Sequence, residues 1–355
     1  MEYGNILLSC TLAIGDAVMA TSAAALLKKI YPQAKTTIIV KRLAEEIVRN
    51  NPVIDEVIAL DYVQKRISFK NMTAVVSAIK KQNFDLYVSL DGKIRPALLA
   101  CLAGIPVRIG PTSLFGSNTT MPLLITRHFK AGYFQTHHYT AILQDMIRSF
   151  TGSSQSAGPV LPVANPQDAA FAKSFFNSLP KRKYNIGLCV KTNPRKTWPQ
   201  KRFAELLRRL HTGYDANFFI IGGSYDKEYV EQLVSLAQVP VMNLCGATTL
   251  TQSMELLKRT DLFITLDTAP MHIASALGVP MIAIFGSTAP ASVAPLSNKA
   301  IIAAPPSLPC IPCIPIRVAV VPGISKRVGK KVCEDQQCMQ YISVSQIEEM
   351  VSSIL

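Results

Sequence analysis

The chain is short of charge, short of aromatics and without a clean apolar run long enough to span a bilayer, and each shortage excludes something. Charged residues make up 17% and apolar residues 49% of 355, so a disordered polyelectrolyte is excluded. The 18 glycines and 23 prolines are scattered without a period, which excludes collagen-like and mucin-like chains. Mean hydropathy is positive, yet the apolar run from Ile6 to Leu27 carries Asp16 at its middle. It is therefore expected to be a buried strand, a turn and a helix rather than a membrane span. Glu2 is the only charge ahead of Asp16 and the first cation is Lys28, so the positive leader of a secretory signal is missing. The expectation is a soluble, unsecreted chain, long enough for two domains.

Acid is also scarce: 37 Lys and Arg stand against 23 Asp and Glu, a formal excess of +14. Such an excess points to acidic partners, whether nucleic acid, phosphorylated small molecules or an anionic membrane surface. The two halves of the chain share it evenly, and no basic tail is present. Its densest local form is Arg317, Lys326, Arg327, Lys330 and Lys331. Aromatics are 7% with a single tryptophan, and no recognition motif for nucleic acid occurs.

What is there is a rhythm. Continuous apolar runs alternate with helical periodicity: Ile6–Ser9 then Ala17–Ile30, Thr37–Val40 then Leu43–Asn50, Val57–Leu60 then Met72–Gln82, Leu86–Leu90 then Arg95–Leu102. Runs that are apolar throughout, rather than at alternate positions, suit parallel strands covered on both faces by helices. Thr151–Gln167, rich in Gly, Ser and Pro and free of charge, reads as a linker. Beyond it the rhythm restarts at Asn185–Val190 and continues to Met281–Phe285, breaking after Ser287. The expected fold class is α/β, with two Rossmann-like doubly wound domains. The expected division is 1–160, then 161–340 with a Cys-rich segment at 305–340, then a terminal helix within 341–355.

Candidate chemistry sits where strands end, since open α/β sheets bind ligands at the carboxyl ends of their strands. The first β-α turn, Ser9 to Asp16, lacks the glycines of a dinucleotide fingerprint, which disfavours a nicotinamide cofactor. Asp16 reads either as a helix cap or as a general base beside Ile14, Val18 and Met19. The loop Lys191-Thr192-Asn193-Pro194-Arg195-Lys196-Thr197-Trp198-Pro199 offers cations and hydroxyls for a phosphate, while Trp198 reads as packing. Gly222 and Gly223 end a buried run, where backbone can approach a ligand closely. Asp267, Thr268 and Ala269 precede a helix opening near Pro270, whose N-terminus suits a diphosphate, and His272 lies one turn inside.

Eight cysteines form two sets. Cys10, Cys101, Cys189 and Cys245 are isolated in apolar surroundings, whereas Cys310-x2-Cys313 and Cys333-x4-Cys338 cluster near the C-terminus. The cluster's spacing suits a structural zinc or iron site, with free thiols and disulfides as the alternatives.

In order and spacing these elements resemble the heptosyltransferases of glycosyltransferase family 9, which add heptose from ADP-heptose to the lipopolysaccharide inner core. The resemblance runs through Gly15-Asp16, Tyr31-Pro32 and Asn51-Pro52, then Lys196-Thr197-Trp198-Pro199 and Ile221-Gly222-Gly223. It ends on Asp267-Thr268-Ala269-Pro270-Met271-His272, leading to Ala276-Leu277-Gly278-Val279-Pro280. It implies a GT-B fold, two domains facing a central cleft, with the acceptor on the N-terminal domain and the sugar nucleotide on the C-terminal one. It implies an inverting reaction with Asp16 as base and no catalytic metal required. Thr192 and Lys196 would hold the diphosphate; Asp267, Thr268 and His272 the nucleotide sugar; Ser224 the ribose. Ala269 stands where the family usually has Gly, and Lys191 and Ser224 also depart from its usual residues. The implied partners are ADP-heptose, a phosphorylated lipid-linked oligosaccharide and the inner-membrane surface, without nucleic acid. The implied location is cytoplasmic, peripheral at the inner membrane. The alternatives are a transferase or epimerase using another nucleoside-diphosphate sugar, a homologue that only binds the sugar nucleotide, and a basic nucleic-acid-binding protein with a four-cysteine metal module.

Overall fold

The computed structural model describes residues 2–61, 69–114, 117–118, 123–130, 137–308, 311 and 336–355. They fall into two compact units that divide between Val163 and Ala164. The first comprises β1 (Asn5–Cys10), α1 (Ile14–Ile30), β2 (Lys35–Lys41), α2 (Glu45–Val48), β3 (Glu56–Leu60), α3 (Phe69–Lys81), β4 (Leu86–Ser89), α4 (Ile94–Leu102), β5 (Val107–Leu114), β6 (Ser117–Asn118), β7 (Arg127–Lys130) and α5 (Tyr139–Thr151). Its strands lie in the order β3-β2-β1-β4-β5-β6, with β7 on β5. All the pairings are parallel except the short β5–β6 pair.

The second unit repeats the plan. It comprises α6 (Pro166–Ser178), β8 (Tyr184–Cys189), α7 (Gln200–Gly213), β9 (Ala216–Ile220), α8 (Lys227–Ala237), β10 (Met242–Asn243), α9 (Leu250–Leu257), β11 (Leu262–Leu266), α10 (Ala269–Leu277), β12 (Met281–Ile284), α11 (Pro290–Val293), β13 (Ala300–Ala303), α12 (Gln337–Gln340) and α13 (Val344–Ser352). The order β10-β9-β8-β11-β12-β13 is parallel throughout. In both sheets the first strand sits mid-sheet with the fourth strand of its unit beside it, the arrangement that opens a crevice at the strands' carboxyl ends.

The apolar runs explain the layers. Every residue of β4, β9, β11 and β12 is buried, which requires cover on both faces of the sheet. The Ala-rich α1 buries twelve residues, Ala17 to Leu27 among them. The run from Ile6 to Leu27 is thus a core strand and a core helix. Among the described residues no helix is long and apolar enough to cross a membrane.

Several elements differ from the sequence expectation. Leu43–Asn50 forms a 3-10 turn and the single turn of α2, ended by Asn50 at φ 56°. Residues 152–163, expected as linker, run along the first unit, because polar side chains there take up their backbone groups. Thr21 Oγ1 accepts from Val160 N at 2.9 Å, Asn51 Nδ2 donates to Val160 O at 2.8 Å, and Gln144 exchanges two bonds with Ala157. After Ser287 one more strand, β13, extends the second sheet. The terminal helix α13 buries Val344, Ile347 and Val351 in the core of the second unit. Trp198, fully buried, packs edge-on against Phe203 at 4.9 Å and donates its indole N–H to Ile342 O at 3.0 Å. It is a packing residue that ties α7 to the C-terminal segment.

Candidate active site

In the first unit the crevice lies between the ends of β1 and β4. Thr11, one residue past β1, donates to Asp91 Oδ2 through both its backbone N–H and its hydroxyl, each at 2.6 Å. The other oxygen of Asp91 accepts from Lys93 N at 3.0 Å, and both Thr11 and Asp91 are buried. This clamp sets the turn from which α1 begins, and the turn presents Asp16. Half-buried Asp16 sits in the first turn of α1, where Oδ2 accepts from Ala13 N at 3.0 Å. The capping role foreseen for it is therefore filled from inside the helix. Tyr139 donates its hydroxyl to Leu90 O at 2.7 Å. Burial, then the charges of Asp91 and Asp16, push the Cys10 thiol well above its ordinary range. Burial likewise raises the Tyr139 phenol, with Cys10, Asp16 and Asp91 adding to it. Two carboxylates thus act on one buried patch.

In the second unit the crevice lies between β8 and β11. The loop after β8 is closed on itself: Thr197 Oγ1 donates to Thr192 O at 3.2 Å and to Asn193 O at 3.1 Å and accepts from Thr192 N at 3.2 Å. Asn193 Oδ1 caps the 3-10 turn Pro194–Lys196 by accepting from Arg195 N at 3.1 Å. That closure delivers Lys196, whose Nζ reaches Asp267 Oδ2 at 2.6 Å. Asp267 lies one residue past β11 with its side chain 6% exposed, while that of Lys196 is 22% exposed. Thr288 donates its hydroxyl to the same Asp267 oxygen at 2.7 Å. Half-buried Thr268 is the N-cap of α10, and its side chain makes no capping bond. Ala269 opens the helix, His272 is buried one turn in, and Gly278 at φ 69° ends it in the left-handed region.

Beside this lies the turn after β9. A Cβ on Gly222 would stand 2.9 Å from the Sγ of buried Cys245, which leaves little room for a side chain there, whereas one on Gly223 would meet the ring of exposed Tyr225 at 2.6 Å, which can turn aside. Asp226 accepts from Gly223 N at 3.1 Å and holds the turn that carries exposed Ser224. Burial raises the Asp226 carboxyl, against the pull of Gly223 N–H and of Lys191, whose Nζ lies 3.8 Å away. Burial and nearby Asp226 push the thiols of Cys189 and Cys245 to about 12.

Of the residues singled out in the sequence, Asp16 belongs to the first unit. Thr192, Lys196, Gly222, Gly223, Ser224, Asp267, Thr268, Ala269 and His272 belong to the second, where Lys196 and Asp267 are in contact. Thr11, Asp91, Asp226 and Thr288 had no role assigned from sequence; the signal for each was its place just beyond a strand. Cys310, Cys313 and Cys333 lie outside the described residues, as does the basic run from Arg317 to Lys331. Cys338 is buried in α12, and among the described residues no group of three His, Cys, Asp or Glu is placed to hold a metal.

The family model described as glycosyltransferase family 9 (heptosyltransferase) matches residues 72–318. The chain belongs to glycosyltransferase family 9. Like other members of family 9 it is an enzyme, which sets aside the nucleic-acid-binding alternative. It is 26% identical over 304 residues to lipopolysaccharide heptosyltransferase 2 of Escherichia coli K12, covering 81% of this chain and 84% of the relative. Among solved structures, a family 9 glycosyltransferase from Veillonella parvula superposes with a TM-score of 0.83 at 22% identity, covering 100% of this chain and 98% of the other. The Escherichia coli ADP-heptose lipopolysaccharide heptosyltransferase II superposes at 0.74 with 21% identity, covering 99% and 98%. The family 9 fold, two doubly wound α/β units in one chain, is the fold found here.

Proposed function

We propose that this glycosyltransferase moves a heptose from ADP-heptose to a phosphorylated, lipid-linked oligosaccharide of the lipopolysaccharide inner core, with inversion at the anomeric carbon. Its likeness to a lipopolysaccharide heptosyltransferase and to an ADP-heptose lipopolysaccharide heptosyltransferase of Escherichia coli supports the donor and the pathway. The observation that carries the reading is the second unit's crevice, where Lys196 is held on buried Asp267 next to the N-terminus of α10, whose N-cap residue Thr268 makes no side-chain capping bond. A cation beside the positive end of a helix dipole at one strand end is what a nucleoside diphosphate needs.

The chemistry follows. Asp16 takes the proton of an acceptor hydroxyl as its oxygen attacks the anomeric carbon from the side opposite the diphosphate. The carbon–oxygen bond to the diphosphate breaks, and Lys196 with the start of α10 meets the charge that develops there. Thr192 holds the diphosphate beside Ala269, Gly222 and Gly223 admit the nucleoside, Ser224 takes a ribose hydroxyl, and Asp267, Thr268 and His272 hold the nucleotide sugar. The formal charge of +14 suits an anionic acceptor and a peripheral location at the cytoplasmic face of the inner membrane. Cys310, Cys313, Cys333 and Cys338 are proposed as a structural zinc or iron site, checked by elemental analysis of the purified chain.

Calorimetry with ADP, UDP and GDP tests the donor assignment. Selective binding of ADP supports it; preference for UDP or GDP assigns another sugar nucleotide, and absence of binding removes the site.

A further inference from the structure

Asp267 holds two donors on one oxygen, and only one of them belongs to the donor-binding residues named so far. Lys196 Nζ lies at 2.6 Å and Thr288 Oγ1 at 2.7 Å from Asp267 Oδ2. Thr288 comes from the loop after β12, 21 residues along the chain from Asp267, so the contact joins the ends of two neighbouring strands. The carboxylate is 6% exposed, which leaves little access for water to replace a lost partner. A buried carboxylate stripped of a hydrogen bond is strongly disfavoured.

We infer that Thr288 is a positioning residue that keeps Asp267 satisfied when a diphosphate draws Lys196 away. The inference rests on the proposed reading that Lys196 meets the donor's diphosphate. A diphosphate has to compete with Asp267 for the same ammonium, and the exchange is easier if the abandoned carboxylate retains a hydroxyl donor. Thr288 therefore acts through Asp267 and Lys196 without touching the nucleotide. Its effect on binding exists only while Lys196 is there to be exchanged. With Lys196 removed, Asp267 has the same partners before and after the nucleotide arrives, and loss of the Thr288 hydroxyl shifts both states alike.

The test is a double-mutant cycle read by calorimetry with ADP. Thr288→Val keeps the shape and removes the hydroxyl. ADP should bind it about tenfold more weakly, the scale of one hydrogen bond to a charged group. Thr288→Ser restores the hydroxyl and should bind within about threefold of the unaltered chain, a rescue that a purely steric role of the threonine methyl does not allow. Thr288→Ala serves as the second hydroxyl-free variant if the valine form does not fold. In a Lys196→Ala background, adding Thr288→Val should change ADP affinity little. Equal ADP affinity of the hydroxyl-free variant and the unaltered chain overturns the inference, as does an undiminished loss in the Lys196→Ala background. If Lys196→Ala itself binds ADP unchanged, the reading beneath the inference fails, and that result is seen in a separate arm of the cycle.

Discussion

The two units build the same crevice and furnish it differently. In each, the first and fourth strands lie side by side, and an aspartate just past the fourth strand reaches back to the segment that follows the first. Asp91 does this in the first unit and Asp267 in the second. The first strands even end alike, in Cys10 and Cys189. The difference is in the partner. Asp91 is held by neutral donors, the N–H and hydroxyl of Thr11 and the N–H of Lys93. Asp16 is a second carboxylate on the turn beside it. Asp267 is held by an ammonium and a hydroxyl beside the start of α10. In the proposed reaction the first crevice has the task of taking a proton from a neutral hydroxyl and the second that of receiving an anion. On the proposed reading one topology serves both halves of a sugar transfer, by exchanging the side chain that answers a single aspartate.

The comparison breaks most sharply at Asp16. Asp16→Asn keeps the size of the side chain and removes the base, so the transfer rate should fall by about 10²–10⁴-fold in an assay with ADP-heptose and acceptor; unimpaired turnover removes Asp16 from that role. Next comes Lys196→Ala, which should weaken ADP binding by about 10-fold to 100-fold in calorimetry, the scale of a charge-assisted contact. A smaller effect sharpens the structural side. Asp91→Asn can offer an oxygen to Thr11 or to Lys93 but not to both, and chemical denaturation should show a loss of about 1–3 kcal/mol. Trp198→Phe removes the bond to Ile342 O and should lower stability by about 1 kcal/mol. Last, carboxymethylation at pH 8 followed by peptide mapping should spare both Cys10 and Cys189. Cys10 is held well above the ordinary thiol range and Cys189 is pushed to about 12, so neither is a thiolate until far higher pH.

Much of this architecture was legible in the residues, and the reason is physical. A parallel strand buried on both faces has to be apolar throughout, so β1, β4, β8, β9 and β11 stand out as runs. What the runs did not show was weaker in itself. The four-residue β13 follows Ser297-Asn298-Lys299, and β5 carries Gly110 and Pro111 with an irregular register to β7. Asp16, Lys196 and Asp267 stood out because each lies beside a strand end within a recognisable motif. Asp91 and Thr288 did not, because what they do depends on partners 80 and 21 residues away. For Asp91 the pattern was nonetheless present: an acid just past the fourth strand, the place that Asp267 occupies in the second unit.

The division of labour between the units is tested most directly by measuring ADP affinity in Asp16→Asn and Lys196→Ala side by side with the unaltered chain. Asp16→Asn should bind ADP as the unaltered chain does, while Lys196→Ala should bind it about 10-fold or more weakly. Equal weakening in both variants, or weakening in Asp16→Asn alone, would contradict it.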